Sequence, residues 1–87
     1  MLFCMADVYR QDYQVLLTHL RKRRKAARLT QTELAVRLGK SQSFVQKLET
    51  GERRLDVVQI RDMCLALEID FLEFMAEFHL AVSSKQS

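Results

Sequence analysis

Apolar residues recur at intervals of three and four in the middle of the chain, which is the spacing of one face of an α-helix. The residues with this spacing are Leu34, Ala35, Leu38, Val45 and Leu48. Gly39 stands between the two groups and Gly51 follows the second, and glycine readily takes the left-handed conformation that ends a helix. The pattern therefore predicts two short helices joined by a tight corner.

Three longer apolar stripes surround this stretch and predict further helices. One lies before it, in residues 12–27, and two follow it. The predicted inward residues of the first two are Leu16, Leu20 and Ala27, then Val57, Ile60, Met63, Cys64 and Leu67. The third carries the apolar residues Phe71, Leu72, Phe74, Met75, Phe78, Leu80 and Val82. The chain contains no proline and only two glycines, so few residues interrupt these helices and an all-α domain is expected.

Residues that start helices stand ahead of four of these stripes. Thr30 with Glu33 has the Thr-x-x-Glu pattern of a capping box, in which each side chain accepts from a backbone N–H group. The other three predicted starts are Ser41, Asp56 and Asp70. A helix, a glycine corner and a second helix make a helix-turn-helix, whose second helix can enter the DNA major groove.

This arrangement resembles the DNA-binding domain of the Cro and lambda-repressor family, also called Xre-like, over about Leu16 to Phe74. The resemblance implies an all-α, five-helix lambda-repressor-like domain whose second and third helices form the DNA-reading pair. It places these two helices at about Gln31–Leu38 and Gln42–Thr50.

The length of 87 residues suits one domain. We expect an N-terminal arm over residues 1–11, a helix-turn-helix DNA-binding domain over residues 12–82 and a polar tail over residues 83–87. The first residues lack the basic start and long apolar run of a secretory signal, and no apolar run reaches the length of a membrane span. A cytoplasmic location without membrane contact is therefore expected.

Positive charge is concentrated in the first part of the sequence. Residues 1–55 contain 12 lysines and arginines and 5 acidic residues, a balance of +7, whereas residues 56–87 contain 2 and 6, a balance of −4. Such a separation gives the molecule an electropositive side that attracts polyanions. The sequence therefore predicts double-stranded DNA as the partner.

The beginning of the third helix carries polar residues suited to reading bases. Gln42 can bond both N6 and N7 of adenine, and Lys47 can donate to guanine or to a phosphate. In the family that this chain resembles, a glutamine often reads bases at the place of Gln42. The predicted base-reading residues are Ser41, Gln42, Ser43, Gln46 and Lys47.

A second group is expected to contact the DNA backbone, which positions a protein without reading sequence. The resemblance implies that the loop after the third helix runs along the sugar-phosphate backbone. It also implies that Gln31 braces the backbone and the reading glutamine. The predicted backbone contacts are Gln31, Lys40, Arg53, Arg54 and Lys22.

The resemblance further implies a structural ion pair between Arg24 and Glu49, which would tie the first helix to the third. The chain departs from the family's usual residues at three positions. Arg23 replaces an apolar residue. Glu68 replaces a glycine, so the fourth helix is expected to end less sharply. Phe44 replaces a small or polar residue; it could cover a thymine methyl group, pack against the second helix or contact a protein, and burial ranks first.

The fifth helix carries more apolar surface than one face of so small a domain can bury. The excess at Phe74, Phe78 and Val82 predicts a homodimer interface. The alternative is that the N-terminal arm folds over these residues.

Catalysis and metal binding find no support in the sequence. Cys4 and Cys64 lack metal-ligand spacing to His19 or His79, and neither histidine has an evident acidic partner. We expect no enzymatic activity, no cofactor and no metal.

Two functions remain. The first is a sequence-specific transcriptional regulator, in particular a repressor, that binds a pseudo-palindromic operator as a dimer with half-sites about one helical turn apart. The second is an antitoxin-like or other protein-interaction module, in which a toxin or another regulator is the main partner and DNA binding is secondary.

Overall fold

The computed structural model describes residues 10–86, and this part of the chain forms five helices and no strand. The helices are α1 (Gln11–Ala26), α2 (Gln31–Leu38), α3 (Gln42–Thr50), α4 (Val57–Leu67) and α5 (Phe71–Gln86). The predicted all-α, five-helix fold is confirmed. The limits expected for the second and third helices agree with those of α2 and α3.

The predicted caps explain where these helices begin and end. The Thr30 hydroxyl accepts from the Glu33 N–H group at 3.0 Å, while the Thr30 N–H group donates to the Glu33 carboxylate at 2.9 Å. The Ser41 hydroxyl accepts from the N–H group of Phe44 at the start of α3. Gly39 and Gly51 have φ angles of 69° and 88°, which are left-handed conformations that only glycine adopts without strain.

The end of α4 differs from the sequence expectation. Glu68 itself takes the left-handed conformation, with a φ of 60°. The N–H group of Ile69 donates to the carbonyl of Cys64 at 3.0 Å, and that of Glu68 to the carbonyl of Leu65 at 3.1 Å. These two bonds close a Schellman motif, so α4 ends sharply without glycine.

The core lies where the five helices meet. Its buried residues are Leu16, Leu17, Leu20, Leu34, Ala35, Val45, Leu48, Leu55, Ile60, Met63, Cys64, Leu67 and Phe74. Two residues that were expected to face inward are exposed: Ala27 and Val57. Ala27 lies beyond the last turn of α1, and Val57 is the first residue of α4, so neither position is covered by a neighbouring helix.

The two terminal helices extend past residues 12–82, the range expected for the domain. The helix α1 begins at Gln11, the last residue of the predicted arm, and α5 continues through most of the predicted polar tail, to Gln86. The rest of the arm, residues 1–9, lies outside the described residues. Within residues 10–86 no helix has the length and apolar character needed to cross a membrane.

An ionic cluster joins α1 to α5. Arg23 donates to one carboxylate oxygen of Glu77 at 2.7 Å, and His19 Nδ1 lies 2.7 Å from the other. The hydrogen bond from Arg23 is the main reason that the pKa of Glu77 is below its usual value. His19 therefore has an acidic partner, which the sequence analysis did not find because the two residues are 58 positions apart. Arg23, which stands where an apolar residue is usual in the resembled family, therefore has a structural role.

Candidate nucleic-acid interface

The helix α3 has one buried side and one exposed polar side. Val45, Leu48 and Glu49 face the interior. All the residues predicted to read bases are exposed: Ser41, Gln42, Ser43, Gln46 and Lys47. The start of α3 therefore offers a polar surface of hydrogen-bonding side chains, which is what readout of base edges requires.

The buried side of α3 is fixed to α1 by two charged residues. Arg24 Nε donates to Glu49 Oε2 at 2.7 Å, and a second Arg24 nitrogen donates to Glu49 Oε1 at 3.1 Å. The two side chains are only 10% and 2% exposed. Arg24 also donates to the carbonyl of Leu29 at 2.8 Å, so its remaining donors are partly satisfied. The ion pair implied for these two positions is present.

The same carboxylate orients two glutamines that lead to the surface. Gln31 Nε2 donates to Glu49 Oε1 at 3.0 Å, and Gln42 Nε2 donates to Gln31 Oε1 at 2.7 Å. An ionised carboxylate can only accept hydrogen bonds, so the amide nitrogen of Gln31 must face Glu49 and its oxygen must face Gln42. Gln42 must then turn its own amide nitrogen toward Gln31. Its oxygen and its second N–H bond remain for a ligand.

Positive side chains lie at both ends of α3. The Lys40 ammonium is 5.4 Å and the Arg53 guanidinium carbon 5.0 Å from the centre of the Phe44 ring. The Arg54 guanidinium carbon is 4.8 Å from the centre of the Tyr13 ring in α1. The structure thus places two of the predicted backbone-contact residues, Lys40 and Arg53, beside α3, and a third, Arg54, beside α1.

A family model described as helix-turn-helix matches residues 20–74, which is more than half of the chain. The chain belongs to the Xre family of helix-turn-helix proteins. A solved structure of an XRE-family like protein from Pseudomonas syringae pv. tomato str. DC3000 is 42% identical to it. The match covers 85% of this chain and 90% of that one, with a TM-score of 0.79. A search of curated proteins finds no match.

Membership of the Xre family identifies the protein as a DNA-binding transcriptional regulator. It also identifies α2 and α3 as the helix-turn-helix pair, because both helices lie within the matched residues 20–74. The exposed polar start of α3 is the part of such a pair that meets the major groove.

Lys22 of this Xre protein, which was predicted to contact the DNA backbone, lies on the side of α1 that faces α5. Lys22 borders a cleft between α1 and α5, together with His19 and Ala81. Its neighbour Arg21 instead reaches α3, where it donates to the carbonyl of Glu49 at 2.9 Å. Successive helical residues are separated by about 100°, so the two side chains leave α1 in different directions. Arg21 thus joins α1 to α3, and the predicted contact of the exposed Lys22 with the DNA backbone stays a prediction.

The predicted dimer residues also require correction. Phe74 is completely buried in the core of the chain itself, so it cannot contact a second copy. Phe78 packs partly against the same core, and Val82 is half-buried. The exposed large apolar residues of α5 are Leu72 and Leu80, at 73% and 66%.

Sequence reasoning missed Tyr13, Arg21 and Glu77. The hydroxyl of Tyr13 accepts from the N–H group of Leu55 at 3.0 Å, so α1 holds the loop that follows α3. Each of these contacts joins residues more than 25 positions apart. No local spacing in the sequence predicts such pairs.

Within residues 10–86, no group of three or more histidine, cysteine or acidic side chains is arranged to hold a metal ion. Burial raises the pKa of the Cys64 thiol, which lies fully enclosed in the core. Cys64 therefore packs as a small apolar residue and lacks the thiolate character of a reactive cysteine.

Proposed function

We propose that this Xre-family regulator is a repressor that binds a pseudo-palindromic operator as a homodimer. The observation that carries the proposal is the exposed Gln42, whose amide is oriented by Gln31, Glu49 and Arg24. A reading side chain held in one orientation loses less conformational entropy on binding and discriminates better between bases.

Gln42 in this orientation suits adenine. Its free oxygen can accept from the adenine N6 amino group, while its second N–H bond can donate to N7. Gln46 lies one turn further on the exposed side of α3, and Lys47 next to it can reach guanine or a phosphate. Direct readout is therefore assigned to the first two turns of α3.

The cations around α3 supply the backbone contacts. Lys40 stands in the turn before α3, and Arg53 and Arg54 stand in the loop after it. Lysine and arginine at such places neutralise phosphates and release counterions, which gives affinity without sequence preference.

The dimer contact is proposed on the exposed side of α5. Leu72, Ala76 and Leu80 are four residues apart and all exposed, so they form one apolar stripe along this helix. Burial of this stripe against a second copy would remove it from water. Two reading helices related by a two-fold axis then require a two-fold symmetric operator.

The experiment that tests the proposal is selection of the purified protein against a random duplex library, followed by sequencing. Enrichment of a two-fold symmetric site, with half-sites about one helical turn (~10 bp) apart, is the expected result. Enrichment of a single half-site would contradict the proposed dimer. Retention of DNA without enrichment would contradict sequence-specific reading. Repression is then measured with the selected site placed across a reporter promoter.

The dimer is tested separately by sedimentation of Leu80→Asp. This change places a charge in the apolar stripe and is expected to give a monomer. Leu65→Asp is the matched control, because Leu65 is an equally apolar residue on α4 that is 59% exposed. Persistence of the dimer in Leu80→Asp would show that this side of α5 is not the dimer contact.

A protein-interaction module remains the second candidate, because apolar side chains are also exposed outside α5. Those on α2 and α4 are Val36, Val57, Val58 and Leu65. A toxin or another regulator that binds there would leave α3 untouched. Substitution of Gln42 should then abolish sequence selection and preserve partner binding.

A further inference from the structure

The positive side chains around α3 lie against aromatic rings. Lys40 precedes α3 and Arg53 follows it, yet both approach the ring of Phe44, at 5.4 and 5.0 Å from its centre. Arg54 approaches the ring of Tyr13 at 4.8 Å. All three distances are within the range of a cation–π interaction, about 6 Å.

The two rings are themselves held in place. Phe44 is half-buried and packs against the core. The next residue in α3, Val45, is fully buried. Tyr13 packs against the same core, and its hydroxyl accepts from the N–H group of Leu55 at 3.0 Å. Both rings are therefore held in place next to the loop between α3 and α4.

The cations that lie on these rings are long and flexible in isolation. A lysine or arginine side chain that becomes ordered on binding loses rotamer entropy, which lowers affinity. Lys40 and Arg53 also carry like charges that repel each other when they are brought together. A ring that attracts both cations opposes that repulsion and reduces the ordering that DNA must supply.

Two of these cations, Lys40 and Arg53, border a small cleft of about 190 Å³. Lys40, Phe44 and Arg53 line it together with the α4 residues Gln59 and Asp62. The acidic Asp62 therefore borders the same cleft as the two cations.

We propose that Phe44 and Tyr13 are positioning residues for DNA-backbone binding, because their rings hold Lys40, Arg53 and Arg54 ready for phosphates. This inference rests on the proposed DNA-binding function. It also explains why an aromatic residue stands at position 44, where a small or polar residue is usual in the family. The ring acts through the cations and does not touch bases.

The first test measures affinity for a random-sequence duplex as a function of salt. Phe44→Leu retains apolar volume but removes the π face, and it should weaken binding about three- to tenfold. Phe44→Tyr retains the π face and should restore wild-type affinity. In a Lys40→Ala/Arg53→Ala background, Phe44→Leu should have no further effect, because no cation is left on the ring.

Phe71→Leu is the matched control, since Phe71 is another half-buried phenylalanine that packs against the core. It should reduce thermal stability about as much as Phe44→Leu does and leave DNA affinity unchanged. Tyr13→Leu should weaken binding, and this loss should disappear in an Arg54→Ala background. Equal effects of Phe44→Leu in both backgrounds would show packing alone and overturn the inference.

The second test needs no DNA. The ¹⁵N order parameters of the arginine Nε groups should show Arg53 and Arg54 more ordered than Arg61, an exposed arginine of α4. The order of Arg53 should fall in Phe44→Leu and persist in Phe44→Tyr. If Arg53 is as mobile as Arg61 in the wild-type protein, the inference is overturned. If the cations are ordered but no duplex binds, the proposed function fails instead.

Discussion

Arg24 and Glu49 meet through two parallel hydrogen bonds of 2.7 and 3.1 Å inside the joint between α1 and α3. The carboxylate that anchors α3 also accepts from Gln31, which in turn accepts from Gln42. A continuous chain of hydrogen bonds therefore runs from a buried charge to the surface that faces DNA. The stability of the domain and the orientation of its reading residue depend on the same atoms.

Loss of one partner of the buried ion pair should be strongly destabilising. Arg24→Met leaves the Glu49 carboxylate buried without its cation, so we expect the free energy of unfolding to fall by about 3–5 kcal/mol. The double variant Arg24→Met/Glu49→Leu removes both charges and should lose much less. Urea denaturation followed by circular dichroism measures both values. Losses that simply add would contradict a direct pair.

Gln42 and Gln31 should act as one unit in base reading. Gln42→Ala is expected to cost about 1–3 kcal/mol on the selected operator and to change affinity for random DNA very little. Gln31→Ala removes the acceptor that orients Gln42, so it should lose part of the same energy. Titration of both duplexes with the two single variants and the double variant measures this coupling. Equal losses of Gln42→Ala on operator and random DNA would exclude base reading by Gln42.

Arg53 should act on DNA of any sequence. Arg53→Ala is expected to weaken binding to operator and random duplex alike and to reduce the slope of log affinity against log salt by about one. Arg61→Ala is the control, because Arg61 lies on α4 in the acidic part of the chain. A reduced salt slope in both variants would mean that the effect is one of overall charge.

The link between α1 and α5 should depend on pH. The hydrogen bond from Arg23 lowers the pKa of Glu77 below 4.5, so the contribution of this link is complete above that value. It is lost as the pH falls through the lowered pKa of the folded state. Since the carboxylate is 35% exposed, solvent screens the link and about 0.5–1 kcal/mol is expected.

Comparison of wild type with Glu77→Gln tests this link. Denaturation at about pH 7 should show the wild type as the more stable protein. The difference should shrink as the pH falls through the lowered pKa of the folded state, because Glu77 then becomes protonated in folded and unfolded chains alike. A difference that persists in acid would show that the ionised carboxylate is not its source.

Glycine at position 68 should stabilise the domain. Glu68 has a φ of 60°, a conformation that strains residues other than glycine. Relief of this strain should exceed the gain in unfolded-chain entropy, so Glu68→Gly is expected to raise the free energy of unfolding by about 0.5–1 kcal/mol. Glu73→Gly, within the first turn of α5, should lower it by a similar amount. Thermal denaturation of the two variants provides the comparison.

The helix limits could be predicted because their signals are local. Thr30, Ser41 and Asp56 each accept from a backbone N–H group three residues ahead, so the sequence itself contains both partners of each contact. The ion pair of Arg24 and Glu49 was accessible only through resemblance to the Xre family. Nothing in the spacing of the two residues indicates it.

The rotation of α5 could not be predicted from the sequence. Apolar residues occur on almost every side of this helix, so its periodicity does not show which side meets the core. The structure buries Phe74 and exposes Leu72, although both belong to the same apolar run. The contacts of Glu77 with Arg23 and His19 were missed for a related reason, since the partners are 54 and 58 positions apart.

The bond from Gln42 to Gln31 also limits how this protein can change its target in evolution. The Gln31 oxygen accepts a hydrogen bond from Gln42. A new residue at position 42 therefore keeps this series of hydrogen bonds intact only if it has a donor of suitable reach. Apolar and acidic replacements leave that oxygen without its partner. New operator preferences at this position are therefore drawn from a small set of donor side chains, unless position 31 changes with it.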